Sequence, residues 1–353
     1  MVTGGGLLSD GIYLLEQGAY AAHYTFSARP VEAVAEREGL GADTQEFFTR
    51  VERIRSYAAE ELGLADTDSY TTYVEIDRDH LVYVVSAAGE LSFERYRWHY
   101  PVLGSLPYRG YYERDDAFAE AARVREAGYD VLVRRVDAYS SLGVVPDPLY
   151  SFMREYSEYA LAELIIHELA HATVFVPGMA SFNEEFATLV GREGALSYLQ
   201  KQHGAASDVY RNTVRRLRDR RVFLGFIAAL RNRLREVYEG TRSADAKREE
   251  KQRIISNSMQ TFSRFSDRWF LSNAYDWVPE ADVDNAFLDL YATYNAGRME
   301  SYGDQSSVFE GVYARVGRSV PALIETVKAA AQADDPRAAL SENRDSAPKS
   351  GDD

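Results

Sequence analysis

Leu161-Ala162-Glu163-Leu164-Ile165-Ile166-His167-Glu168-Leu169-Ala170-His171 is followed, after Val176-Pro177-Gly178, by Ser181-Phe182-Asn183-Glu184-Glu185-Phe186-Ala187. On an α-helix, residues i and i+4 lie one turn apart on one face. His167 and His171 can therefore grip one metal ion, with Glu168 beside them. A reactive metal site needs a third protein ligand and one open position. Val-Pro-Gly is a turn signal, and a second helical stretch starts near Ser181. An antiparallel return of this kind brings Glu184 back towards the histidines. Glu185 takes that place if the helix phase differs. Ser181 to Glu184 also fits a capping box, which would turn Glu184 onto the backbone instead.

The chain has six histidines. At that frequency the pattern His-Glu-x-x-His arises by chance on the order of once in a hundred such chains. It is the signature of zinc metallopeptidases, in which the intervening glutamate acts as general base. His167, His171 and Glu184 are the expected Zn2+ ligands. Glu168 is the expected acceptor of a proton from an activated water. Glu163, one turn before His167, is placed to orient a ligand imidazole; a solvated helix glutamate is its alternative.

His167 to His171 followed by Asn183-Glu184-Glu185-Phe186-Ala187 resembles the gluzincin metallopeptidases. Their aminopeptidase branch carries a similar pair of motifs and takes the glutamate after asparagine as third ligand, which implies Glu184 here. The gap between the two motifs is shorter than in that branch. A wider resemblance is to the bacterial predicted aminopeptidases. It rests on residues 102–104, 107–111, 138–143, 147–149 and 161–194, and more loosely on Asn285-Ala286 and Ala292-Thr293-Tyr294. The resemblance implies a zincin-like fold and peptide hydrolysis. It also implies a tyrosine or histidine that stabilises the oxyanion, with Tyr294 as candidate and Tyr139 and Tyr111 as alternatives. Many members carry an export signal, so the implied location is the cell envelope or periplasm, with the cytoplasm otherwise. Met1 to Gly6 have neither a basic nor an apolar segment and are not read as a signal peptide.

Composition agrees with a soluble globular chain: 353 residues, 46% hydrophobic and 27% charged. A net charge of −15 argues against a nucleic-acid partner, which would want a basic face. The longest apolar run, residues 222–230, is too short to span a bilayer and reads as a buried helix segment. With no cysteine, disulfides and Cys-ligated metals are excluded.

Periodicity predicts an α+β, mainly helical protein. Residues 10–63 read as helical, and residues 72–76 and 81–85 as strands joined in a hairpin across Asp77 to His80. Residues 116–127 read as a helix closed by Gly128, and 129–136 as a strand. Beyond residue 150 the pattern is helical. The expected organisation is therefore a helical segment plus a small mixed sheet over 1–149, a helical zinc-site domain over 150–331, and a disordered tail over 332–353. Zincins place an edge strand before the active-site helix, where substrate backbone adds by β-augmentation. Residues 138–143 occupy that place, making Tyr139 and Ser140 candidate substrate contacts; an ordinary exit loop is the alternative. Arg109 has the planar fork to bind a peptide carboxylate, or sits in a surface salt bridge. Glu113, Asp137 and Glu185 are candidates to hold a substrate amine. The competing functions are a non-catalytic binding protein on the same scaffold, and a zinc hydrolase of a non-peptide amide.

Overall fold

The computed structural model describes residues 24, 26–36, 40–100, 104–136, 146–293 and 308–342. It begins with strand β1 (Arg29–Pro30) and helices α1 (Val31–Ala35) and α2 (Ala42–Glu60). Strands β2 (Thr72–Val74), β3 (Val82–Gly89), β4 (Trp98–Tyr100), β5 (Gly104–Leu106) and β6 (Tyr108–Tyr111) follow. Next come α3 (Arg114–Glu126), β7 (Tyr129–Val136) and β8 (Leu149–Tyr150). The rest is helical: α4 (Glu158–Thr173), α5 (Ala180–His203), α6 (Asp208–Glu239), α7 (Ala244–Trp269), α8 (Asn285–Thr293), α9 (Val308–Arg315), α10 (Val320–Ala330) and α11 (Pro336–Glu342). The protein is thus mainly helical with small sheets. Among the described residues no helix is long and apolar enough to cross a membrane.

Two compact units divide the chain, and neither is a continuous segment. One gathers the described residues up to 27 and those within 77–136 and 214–293; the other gathers those within 28–76, 146–213 and 308–342. This partition differs from the expected division at residue 149. The reason is that α8, far along the helical half, packs on β3 and β7. A helical pattern shows which face is apolar, not which sheet it covers.

In the first unit, β3 is the centre of an antiparallel sheet ordered β6-β3-β7. Val85 lies opposite Val133 and Ala87 opposite Val131, so these side chains share one face. They join Trp98, Tyr111, Ala117, Ala121 and Val124 in a core under α3. The other face, with Val84 and Ser86 on β3, meets α8. Both faces are covered, which explains the nearly continuous apolar run of β3. Gly128, at φ +87°, turns the chain from α3 into β7.

The N-terminus of α8 is fixed by buried polar groups. Asn285 is fully buried, and its amide donates to the carbonyls of Gly89, Glu90 and Ser92 at 2.9, 3.0 and 3.2 Å. Lys251 donates to Asp130, which also accepts from the Asn285 backbone at 2.8 Å. Asp284 caps the helix by accepting from the Phe287 backbone at 2.8 Å.

In the second unit, β2 lies between β1, antiparallel, and β8, parallel. The expected hairpin across Asp77 to His80 is therefore corrected: β2 and β3 belong to different sheets. A turn signal marks a break in the chain but not the partner of the next strand. Within the stretch expected to be a disordered tail from residue 332, residues 336–342 form a helix instead. Asp335 accepts from the Ala338 backbone at 3.0 Å and Pro336 opens α11, a favourable start for a helix. Leu340 is buried there, at 1% exposure. Residues 343–353 lie outside the described residues.

Burial pushes the Asp284 carboxyl up to about 6, although the Phe287 backbone N–H opposes the shift. A raised folded-state value means the ionised form is disfavoured in the fold. Stability contributed by this group is full below its unfolded value and is lost as pH rises towards 6. Asp284→Asn keeps a cap acceptor and removes the charge. It should raise stability by roughly 1 kcal/mol near pH 7 and leave it unchanged near pH 4, read by denaturant titration at both values.

Candidate metal centre

Helix α4 begins where the Ser157 hydroxyl accepts from the Ala160 backbone at 3.2 Å. Leu161, Ala162, Ile165, Ile166, Leu169 and Ala170 are buried along it. It ends at Thr173, whose hydroxyl donates to the Leu169 carbonyl at 2.6 Å and accepts from the Ala65 backbone at 2.8 Å. The following turn uses Gly178 at φ +78°. Asn183 then clamps this connection: its side-chain oxygen accepts from the Val176 backbone and its amide donates to the Val176 carbonyl, each at 2.9 Å.

Helices α4 and α5 run antiparallel in close contact. Glu184 meets His171 at one end, and Tyr198 and His203 both meet Glu158 at the other, at 3.0 and 2.7 Å. Between these ends stand two glycines. A Cβ on Gly191 would lie 2.9 Å from the Glu163 carbonyl oxygen and 3.0 Å from His167 Cβ. One on Gly194 would lie 2.9 Å from Leu62 and 3.0 Å from Ile166 side-chain carbons. The backbone of α5 therefore approaches at the turn that carries His167, and a larger residue would hold it off.

That approach gathers three donors. The Nε2 atoms of His167 and His171 are 3.1 Å apart. Glu184 oxygens lie 3.4 Å from His171 Nε2 and 3.7 Å from His167 Nε2. A tetrahedral zinc ion with bonds of about 2.0–2.1 Å holds neighbouring ligand atoms about 3.3 Å apart, so the spacing fits such an ion. Among the described residues, His167, His171 and Glu184 form the group able to hold a metal. Its setting is asymmetric. The His171 side chain is 1% exposed, His167 21% and Glu184 55%, so the group is closed on the His171 side and open at Glu184. The His171 ring, together with His167, holds the Glu184 carboxyl below the usual range despite partial desolvation. His171 Nδ1 is buried without a hydrogen-bond partner.

The capping box at Ser181 does not form: the N-cap of α5 is Met179, two residues earlier, and it makes no side-chain cap. Glu185, the alternative ligand and a candidate for a substrate amine, is instead buried against Arg337 in a two-pronged ion pair. Glu113 lies near Arg78 at 3.6 Å. Arg109 is 8% exposed, with its guanidinium 5.8 Å from the ring centroids of Tyr100 and Tyr111. It is a packed arginine of the other unit rather than a fork open to solvent. Glu163 is half-buried one turn before His167. Asp137, Tyr139, Ser140, the 138–143 segment and Tyr294 lie outside the described residues.

Sequence reading missed Tyr70. This buried residue has φ +63°, in the left-handed region that disfavours side chains. Its backbone N–H donates to the Asp147 carbonyl at 2.6 Å. Burial raises the Tyr70 hydroxyl well above its ordinary range, and the charge of Glu168 raises it further. The two side chains are thus electrostatic neighbours. No periodicity or motif signals this, because Tyr70 and Glu168 stand on segments far apart in the chain that only folding brings together.

The site is a helix-borne His-His-Glu group suited to one metal ion. The chain belongs to the family described as putative aminopeptidase, whose model matches residues 12–340. No curated protein and no solved structure matches the chain. Membership points to peptide hydrolysis.

Gly191→Ala tests the close approach. It should cost about 1–3 kcal/mol of stability by overpacking. Because it displaces the backbone beside His167, it should also weaken metal binding roughly tenfold, measured by competition with a chelator.

Proposed function

We propose that the protein is a zinc-dependent peptidase of aminopeptidase type, with His167, His171 and Glu184 as ligands and Glu168 as general base. The observation that carries this reading is the convergence of the three donors at 3.1, 3.4 and 3.7 Å. The His-Glu-x-x-His pattern and the family match support it.

A zinc ion, when bound, supplies Lewis acidity that polarises a carbonyl and makes a water molecule acidic near neutral pH. The chain's own residues do the rest. Glu168 follows His167 directly on α4 and is the carboxylate assigned the general-base role. It accepts a proton from the attacking water and passes it to the leaving amine. Glu163 orients the His167 ring. The exposed side of the group, at Glu184, is the side from which a substrate carbonyl enters. Tyr294 is the proposed donor to the developing oxyanion, and Tyr139 and Ser140 the proposed contacts to substrate backbone. This architecture is zincin-like in our reading. The resemblance to envelope members of the family supports an envelope or periplasmic location.

Glu168→Gln should retain fold and metal but lose roughly 10²–10⁴-fold in turnover, because the amide cannot accept the proton. His171→Ala should lose metal, and activity with it. The measurements are metal content and hydrolysis of a peptide library by both variants. Wild-type turnover in Glu168→Gln, on the best substrate found, would overturn the mechanism.

A further inference from the structure

The connection between the two ligand-bearing helices is more apolar than a turn requires. It reads Val174-Phe175-Val176-Pro177-Gly178-Met179. Turn positions usually go to small or polar residues that can face water. Phe175 is 48% exposed, and among the described residues of its unit it is the one exposed aromatic side chain. Pro177 is exposed as well, and Val176 and Met179 are half-buried.

The exposure of Phe175 does not come from a loose backbone. Val174, on one side, is buried, and its N–H donates to the Ala170 carbonyl at 2.9 Å. Val176, on the other side, is held by the Asn183 side chain through both its N–H and its carbonyl. The Met179 backbone donates to the same Val176 carbonyl at 3.2 Å, and the Asn183 backbone donates to the Met179 carbonyl at 3.1 Å. The fold thus fixes the chain on both flanks of a large apolar side chain that it leaves at the surface. Such a side chain keeps apolar area available for a ligand to cover.

The segment also stands at the metal centre. Val174 follows His171 by three residues, and Met179 precedes Glu184 by five. On α5, Ala180 and Ser181 precede Glu184 by four and three residues, so they share its face of the helix. All three are exposed, whereas Phe182, Asn183 and Glu185 are buried. The exposed face of α5 therefore runs from Glu184 back to the turn, with only small side chains between.

We infer that Phe175, flanked by Pro177 and Met179, recognises the first residue of a peptide substrate and selects a bulky apolar side chain there. The inference rests on the peptidase reading above. In an aminopeptidase-type reaction the carbonyl brought to the metal group belongs to the first residue. The side chain of that residue is then the one closest to the ligands, on the face that leads to the turn. An aliphatic or aromatic side chain removes apolar area from water against the Phe175 ring; a glycine removes none.

The test is calorimetric titration of the zinc-loaded full chain with L-leucine hydroxamate and with glycine hydroxamate. The two compounds carry the same chelating group and differ only in the side chain. The leucine compound should bind about tenfold more tightly. Phe175→Ser should bring its affinity to within about twofold of the glycine compound. Zinc content and the affinity for glycine hydroxamate should stay as in the wild type, and Phe175→Leu should restore most of the preference. Thermal melts establish that the variants are folded; if Phe175→Ser is not, Phe175→Gln takes its place. Equal affinity for the two compounds, or a leucine preference that survives loss of the Phe175 ring, would overturn the inference and leave the metal centre standing. A chain that takes up no zinc, or a zinc-loaded chain that binds neither hydroxamate, would overturn the peptidase reading and the inference with it.

Discussion

The contact between α4 and α5 at Gly191 and Gly194 is the constraint on which the candidate metal centre depends. Two histidines on one helix make only half a site. The third donor must come from a different helix, and its carboxylate must stand within a few ångströms of both imidazoles. Gly191 allows this because its missing side chain is replaced by the Glu163 carbonyl and the His167 Cβ. At the turn end, Asn183 holds the connection with two backbone hydrogen bonds. At the far end, Glu158 accepts from Tyr198 and pairs with His203. The helix pair is therefore fixed at three points along its length, and the His-His-Glu group lies between the first two.

The environment of the group divides its labour. His171 is sealed in the helix pair while Glu184 remains half exposed. A group closed on one side and open on the other can hold an ion and still admit a substrate. Glu185, one residue on, is buried in an ion pair with Arg337 on α11. That ion pair ties the last described helix to the helix that carries Glu184.

The sheet-based unit follows a different logic. Its sheet is covered on both faces, by α3 on one side and α8 on the other. The covering helix α8 is seated by polar contacts at its N-terminus, where Asn285, Asp130 and Lys251 satisfy one another and the turn after β3. The packing is less complete towards Leu290 and Tyr291, where two cavities lie.

The sequence by itself determined the local elements near the metal centre. Its i,i+4 histidines, the Val-Pro-Gly turn and the returning helix are short-range features, and short-range geometry follows from helix pitch and turn chemistry. Strand β7 and its preceding glycine were legible for the same reason. What the sequence left open was phase and partnership. Glu184 and Glu185 are adjacent, and only the packing of α5 on α4 decides that the first faces the histidines and the second faces Arg337. Residues 72–76 and 81–85 both read as strands, yet pairing assigns them to separate sheets, because backbone hydrogen bonds carry no sequence label. Asp335-Pro336 was hidden in a polar stretch, and the burial of Leu340 makes it a helix start. Tyr70 was invisible altogether: the charge of Glu168 reaches it only because its loop is pinned to Asp147, a contact between segments distant in the chain. Local order was written in residue spacing; the assembly of the site required the whole chain to pack, since only tertiary contacts bring distant donors to one point.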